Sequence, residues 1–271
     1  MVEVGRRLWQ REYVAANDGN ISCRISENEV LATPTGVSKG FLTPDMIVKC
    51  DLSGRRLAGH LEVSSEVRLH VFVYQQRPDV CGIVHAHPPT ATGFACAGMA
   101  LDTPLLPEVV ISLKTVPLAP YGTPATEELP ASIAGEMKTH DGFLLANHGA
   151  LTLGRDVMQA YHRMETIEHF AKIYLVARML GGAQALQPTQ VEHLMELRKT
   201  FGVEDRSPCL GCGVCDALRS DAQFNGRAPE GVGRTCVLRN VVSQGAEEAQ
   251  GDAELRELVE RVVREVITRA G

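Results

Sequence analysis

The stretch C-G-I-V-H-A-H-P-P, residues 81–89, decides how the rest of the chain is read. Val80–His85 is a short apolar run that predicts a strand, and Pro88-Pro89 ends it. Alternate residues of a strand point to one side, so His85 and His87 can offer two imidazoles to one ion. A third histidine, His148, sits in L-L-A-N-H-G-A, directly after a second predicted strand (Gly142–Asn147) and before a glycine. Three histidines with an open fourth position form the ligand set of a catalytic metal, zinc foremost. An H-x-H alone reads equally well as a pair of satisfied loop histidines. The second strand-end histidine turns the reading toward metal.

Working outward, further short β-rich runs occupy Ile21–Ile25, Val30–Thr33, Ile47–Asp51 and Val116–Pro120. Apolar residues at helical spacing predict helices over Val4–Asn17, Ser64–Gln75 and Met158–Leu180, the last closed by Gly181-Gly182. Residues 1–202 therefore read as one α/β unit. A chain of 271 residues, 44% hydrophobic and 22% charged, suits one sizeable domain plus something smaller. The net charge of −6 argues against sequence-independent nucleic-acid binding, which needs a basic surface. No run approaches the roughly 20 apolar residues of a membrane span. The start, M-V-E-V-G-R-R, lacks a signal-peptide core, so a cytoplasmic, reducing location is expected. There, the isolated Cys23, Cys50, Cys81 and Cys96 are expected to be buried free thiols.

Six motifs then fall in order: G-N-I-S (19–22), T-P-T-G (33–36), S-S-E (64–66), H-A-H-P (85–88), A-P-Y-G-T (119–123) and N-H-G (147–149). With them, residues 13–202 resemble the class II aldolase/adducin family. The resemblance implies a three-layer α/β/α domain and a homo-oligomer, by family habit a homotetramer. It implies zinc or another divalent metal on His85, His87 and His148, and Glu66 as the catalytic acid/base. It implies that Asn20, Thr35, Gly36, Ser64 and Ser65 cradle a substrate phosphate. Small hydroxyl and amide donors beside glycine-bearing turns are what an anion pocket needs. Ser64-Ser65 also opens a predicted helix, whose N-terminus would favour anions.

The implied activity is cleavage of a (deoxy)ketose 1-phosphate such as L-fuculose 1-phosphate. Its products would be dihydroxyacetone phosphate and an aldehyde such as lactaldehyde. The family's epimerase branch carries Asp where this chain has Glu66, which favours the aldolase. Two departures leave other lyase reactions, decarboxylation and dehydration among them, as alternatives beside epimerisation and a non-catalytic adducin-like scaffold. The aldolase branch has a tyrosine in the segment matching Leu106–Val110, where this chain has L-P-E-V-V, and another where it has Phe201.

After residue 202 the texture changes. Residues 203–240 hold C-L-G-C-G-V-C, with Cys209, Cys212 and Cys215 at short intervals and Cys236 as a fourth thiol. Four such thiolates suit a second zinc or an iron–sulfur cluster, which the spacing leaves open. Residues 241–252 read as a polar linker. Within 253–271, Leu255, Leu258, Val259, Val262, Val263, Val266 and Ile267 trace one apolar stripe, predicting an amphipathic helix. A helix this short is marginal alone, so its stripe needs a partner. It resembles the encapsulation peptides that bring enzymes into bacterial microcompartments. That resemblance implies a shell-protein partner at residues 253–269 and a place inside such a compartment.

Overall fold

The structure, a computed structural model, describes residues 1–201. The cysteine segment, the linker and the terminal helix expected at 203–271 lie outside the described residues. The chain opens with α1 (Val2–Gln10), β1 (Asn20–Arg24), β2 (Glu29–Ala32), β3 (Val48–Asp51) and β4 (Arg56–Ala58). Next come α2 (Val67–Gln76), β5 (Gly82–Ala86), α3 (Pro89–Cys96) and α4 (Pro107–Ser112). The series ends with β6 (Leu118–Ala119), α5 (Glu128–Ile133), β7 (Gly142–Leu145), β8 (Gly149–Gly154), α6 (Val157–Met179) and α7 (Pro188–Thr200). Among the described residues two compact units result: 1–103 with 113–185, and 104–112 with 186–201.

In the first unit, eight strands form one sheet in the order β4-β3-β2-β1-β5-β8-β7-β6. Every pairing is antiparallel except β6 with β7. The pleat sorts side chains into two layers. Ile83 of β5, Phe143 and Leu145 of β7, and Leu151 and Leu153 of β8 share a core with Leu69, Val73 and Tyr74 of α2 and with Leu129 and Ile133 of α5. Thr152, one residue out of phase, faces the other way and donates to the Ala160 carbonyl of α6 at 2.7 Å. Helices thus cover both faces, the α/β/α arrangement expected. The central strands β5, β7 and β8 are buried along their whole length, so their sequences show no alternation.

The longest helix starts where expected. Asp156 caps α6 by accepting from Gln159 N at 2.7 Å, and Gly181 and Gly182, both at positive φ, end it. Its partner strand β5 needs Gly82, where an added Cβ would lie 2.2 Å from the Asp156 carbonyl carbon. Two helix boundaries need correction, and one strand is new. The first helix stops at Gln10, because Glu12 and Ala16 adopt positive φ and turn the chain. The second begins at Val67, not Ser64, since residues 63–64 pair in extended form with the 33–35 segment. Strand β8, Gly149–Gly154, is absent from the expected strands. Of the four cysteines, Cys50 is buried as expected, Cys23 and Cys81 are half-buried and Cys96 is exposed.

In the second unit, α4 and α7 pack through Val110, Ile111, Val191, Leu194 and Leu197. Pro188 opens α7, and Gln187 and Gln190 cap it reciprocally. Phe201 packs against the same cluster. Both segments that lack the family tyrosine therefore lie in this unit.

Candidate metal centre and anion pocket

Strand β5 carries His85, and the residue beyond its end is His87. The register sets Asn20 of β1 opposite His85 and Leu151 of β8 on its other side, fixing the strand end between two neighbours. The turn from β7 into β8 brings in His148. Asn147 there adopts a left-handed φ of 55°, which asparagine tolerates better than most residues, and His148 N closes the turn onto Leu145 O at 3.0 Å. Gly149 must be glycine, because a Cβ would sit 2.5 Å from His87 Cδ2 and 2.6 Å from Ala86 O.

The three ligand nitrogens lie within 4.8 Å of one another. His85 is fully buried, and its Nδ1 pairs with Ala150 O at 2.9 Å, which aims Nε2 inward. His85 Nε2 and His87 Nε2 stand 3.2 Å apart. Two imidazoles on one tetrahedral zinc, with bonds of about 2.0–2.1 Å, would place their nitrogens about 3.3 Å apart. His148 Nδ1 is buried and has no hydrogen-bond partner among the described residues. Burial pushes the His85 and His87 imidazoles below their ordinary range, which keeps them in the neutral form that ligates. The donor set fits a divalent cation.

Glu66, just before α2, faces this cluster. Its carboxylate lies 3.2 Å from His148 Nε2 and 3.5 Å from His85 Nε2, and accepts from Asn20 Nδ2 at 2.6 Å. Burial alone would raise its pKa. The facing His85 and His148, with the Asn20 amide, outweigh burial and hold the carboxyl below the usual range. Sequence reasoning found both the histidines and this carboxylate, and the fold brings them together.

Asn20 sits between the two halves of the site. It is buried, one amide N–H goes to Glu66, and its Oδ1 has no partner among the described residues. Thr35, Gly36 and Ser65 are exposed and Ser64 half-buried. Two hydrogen bonds tie their segments side by side, Ser64 N to Thr33 O at 3.2 Å and Thr35 N to Glu62 O at 3.0 Å. Gly36 has a φ of 69° and open space where a Cβ would be.

Other residues around the site escaped the sequence reading. Asp18 Oδ2 is 3.5 Å from His87 Nδ1, the side of the ring turned from the cluster. Beneath Glu66, Ser22 Oγ joins His70 Nδ1 at 2.7 Å and the Tyr74 hydroxyl at 2.8 Å in a buried network. Glu168 of α6, fully buried, accepts from Thr90 N and Ala91 N and so anchors α3 directly after His87. Only the i, i+4 spacing of His70 and Tyr74 carried a faint signal of any of these.

The profile of the class II aldolase and adducin N-terminal domain matches residues 1–175, and the chain belongs to that family. It is 34% identical over 181 residues to 3-oxo-tetronate 4-phosphate decarboxylase of Pectobacterium atrosepticum, covering 65% of this chain and 82% of the relative. It is 31% identical over 180 residues to L-fuculose phosphate aldolase of Methanococcus maripaludis, covering 66% and 96%. A solved L-fuculose 1-phosphate aldolase superposes with a TM-score of 0.68 at 30% identity, covering 73% of this chain and 93% of that one. YgbL from Escherichia coli, described as a candidate aldolase/epimerase/decarboxylase, gives 0.66 at 30% identity, covering 72% and 95%.

Proposed function

We propose that this protein is a divalent-metal-dependent carbon–carbon lyase acting on a small phosphorylated carbonyl compound. The observation that carries the reading is the carboxylate of Glu66 set 3.2 and 3.5 Å from two of three converging histidines. His85, His87 and His148 would hold the cation, zinc foremost. A bound cation supplies Lewis-acid stabilisation of negative charge growing on the substrate's oxygens as the bond breaks. Glu66 is ionised at rest, so it would first take up a proton, from the substrate hydroxyl that becomes the aldehyde carbonyl or from water. It would then deliver that proton to the carbon that loses its partner, with Asn20 fixing the carboxylate's orientation. Thr35, Gly36, Ser64 and Ser65, with Asn20 beside them, receive the phosphate and so place the reacting carbons against Glu66.

The leading substrate is a (deoxy)ketose 1-phosphate such as L-fuculose 1-phosphate, cleaved to dihydroxyacetone phosphate and lactaldehyde. Resemblance to L-fuculose phosphate aldolases supports it. A second reading, decarboxylation of a 3-oxo acid phosphate, is favoured by one observation. Phe201 sits in an apolar cluster and Leu106–Val110 contains no tyrosine, so neither segment offers a phenol for an aldehyde oxygen. Departing carbon dioxide needs no such donor. The experiment is release of dihydroxyacetone phosphate from L-fuculose 1-phosphate by zinc-loaded protein, run beside carbon dioxide release from 3-oxo-tetronate 4-phosphate. Release of either product, abolished in His85→Ala, identifies the reaction. Neither product from folded, metal-loaded protein would overturn the reading.

On sequence alone we also assign a homo-oligomer, by family habit a tetramer. The four C-terminal cysteines would hold zinc or an iron–sulfur cluster, and residues 253–269 would dock on a microcompartment shell protein. Deleting 241–271 should leave activity intact and abolish recruitment to the shell; loss of the folded enzyme instead would sink the docking role.

A further inference from the structure

Lys39 is 2% exposed, yet among the described residues its ammonium has no carboxylate as a hydrogen-bond partner. Nζ donates to two main-chain carbonyls, Asn17 O at 2.6 Å and Val37 O at 2.8 Å. An ammonium has three N–H donors, so one direction remains. A buried ammonium whose direct hydrogen-bond partners are carbonyls rather than a carboxylate is costly to desolvate.

The two carbonyls place it. Asn17 begins the turn that leads to Asn20, and Val37 directly follows Thr35-Gly36. Lys39 therefore bridges the two loops assigned to the anion pocket, and its charge is felt by both Asp18 and Glu66. Burial pushes its ammonium down to about 8, which leaves it mostly protonated at neutral pH. The backbone around it is fixed from outside. Gly5 of α1 presses onto the Lys39 carbonyl, where a Cβ would lie 2.4 Å from the oxygen, and Trp9 covers Gly40. The residues assigned to phosphate, Asn20, Thr35, Gly36, Ser64 and Ser65, are all uncharged, and the nearby Glu66 repels a dianion.

We propose that Lys39 is the fixed cation of the anion pocket, a positioning residue that stitches its two loops together and supplies the charge that selects a phosphate dianion. This rests on the phosphate-pocket reading given under the proposed function. The test is calorimetric titration of zinc-loaded protein with inorganic phosphate, for wild type, Lys39→Gln and Lys39→Arg. The visible spectrum of cobalt-substituted protein reports separately that fold and histidine site are intact. Gln keeps a donor of similar reach but removes the charge, so phosphate affinity should fall at least tenfold with the cobalt spectrum unchanged. With substrate, KM should rise while kcat moves little. Unchanged phosphate affinity in Lys39→Gln would overturn the role of Lys39 and leave the pocket standing. Absence of phosphate binding in wild type would overturn the pocket and Lys39 together. If Lys39→Gln does not fold, Lys39→Arg decides. Affinity within about threefold of wild type supports the charge role, and a folded Arg variant that has lost phosphate overturns it.

Discussion

A Cβ on Gly149 would lie 2.5 Å from Cδ2 of His87, so the residue after one candidate ligand makes room for the ring of another. The obstructing atoms include the Ala86 carbonyl at 2.6 Å, which belongs to β5 and cannot swing aside as a flexible side chain would. Gly149→Ala should therefore tilt His87 out of the cluster. We expect metal affinity to fall about 10- to 100-fold, the range seen when ligand orientation is disturbed. Competition with a chelator measures it, and wild-type affinity in the folded variant would refute the packing argument.

Asp18 is expected to orient His87 from behind. A carboxylate on the outer nitrogen of a ligating imidazole fixes its tautomer and raises its basicity. At 3.5 Å the contact is loose, so Asp18→Asn should weaken metal binding by about tenfold at most. The same chelator competition reads it. A drop as large as that of His87→Ala would mean that Asp18 ligates directly.

Glu66→Gln should keep the metal and lose the reaction. The substitution preserves shape and the contact with Asn20 but removes the proton acceptor. Turnover should fall roughly 10²- to 10⁴-fold, the usual contribution of a positioned acid or base. Metal content and turnover are measured on one sample. Turnover near the wild-type rate would move the proton-transfer role elsewhere.

His70 predicts a pH dependence of stability. Burial lowers its pKa to about 4 in the folded protein, against about 6.5 when unfolded. The unfolded chain thus takes up the proton first. Stability present above pH 6.5 is lost as pH falls toward 4, roughly 3 kcal/mol in all. Denaturant unfolding of wild type and His70→Gln at pH 7, 5.5 and 4.5 tests this. The variant should lose less over the interval, and parallel losses would show that His70 does not govern it.

Gly82→Ala should destabilise the fold without touching the site. The added methyl would meet the Asp156 carbonyl carbon and Val157 N at 2.2 and 2.3 Å, where β5 passes the start of α6. Overpacking against backbone costs about 1–3 kcal/mol. Thermal unfolding should show a fall in Tm of several degrees, and an unchanged Tm would mean that α6 shifts freely.

Much of the fold could be read from local pattern. The strand ends at His85 and His148, the long helix and its cap region, and the family motifs are all short-range features, and they identified the histidines and Glu66 as one constellation. What sequence could not supply came from contacts between distant segments. Strand β8 was invisible because it is buried on both faces between β5 and β7 and carries no alternation. Ser64-Ser65 looked like a helix start, but pairing with the 33–35 segment extended it, a tertiary preference that local propensity does not contain. Asp18 and Lys39 carry no spacing signal and His70 only its faint i, i+4 relation to Tyr74, and each gains its place only through contacts with distant segments. The sequence by itself determined which side chains could do chemistry, because ligand and acid–base capacity are properties of residue type. The tertiary structure decided which of them share a desolvated space, because burial and charge proximity depend on distances that no local pattern encodes.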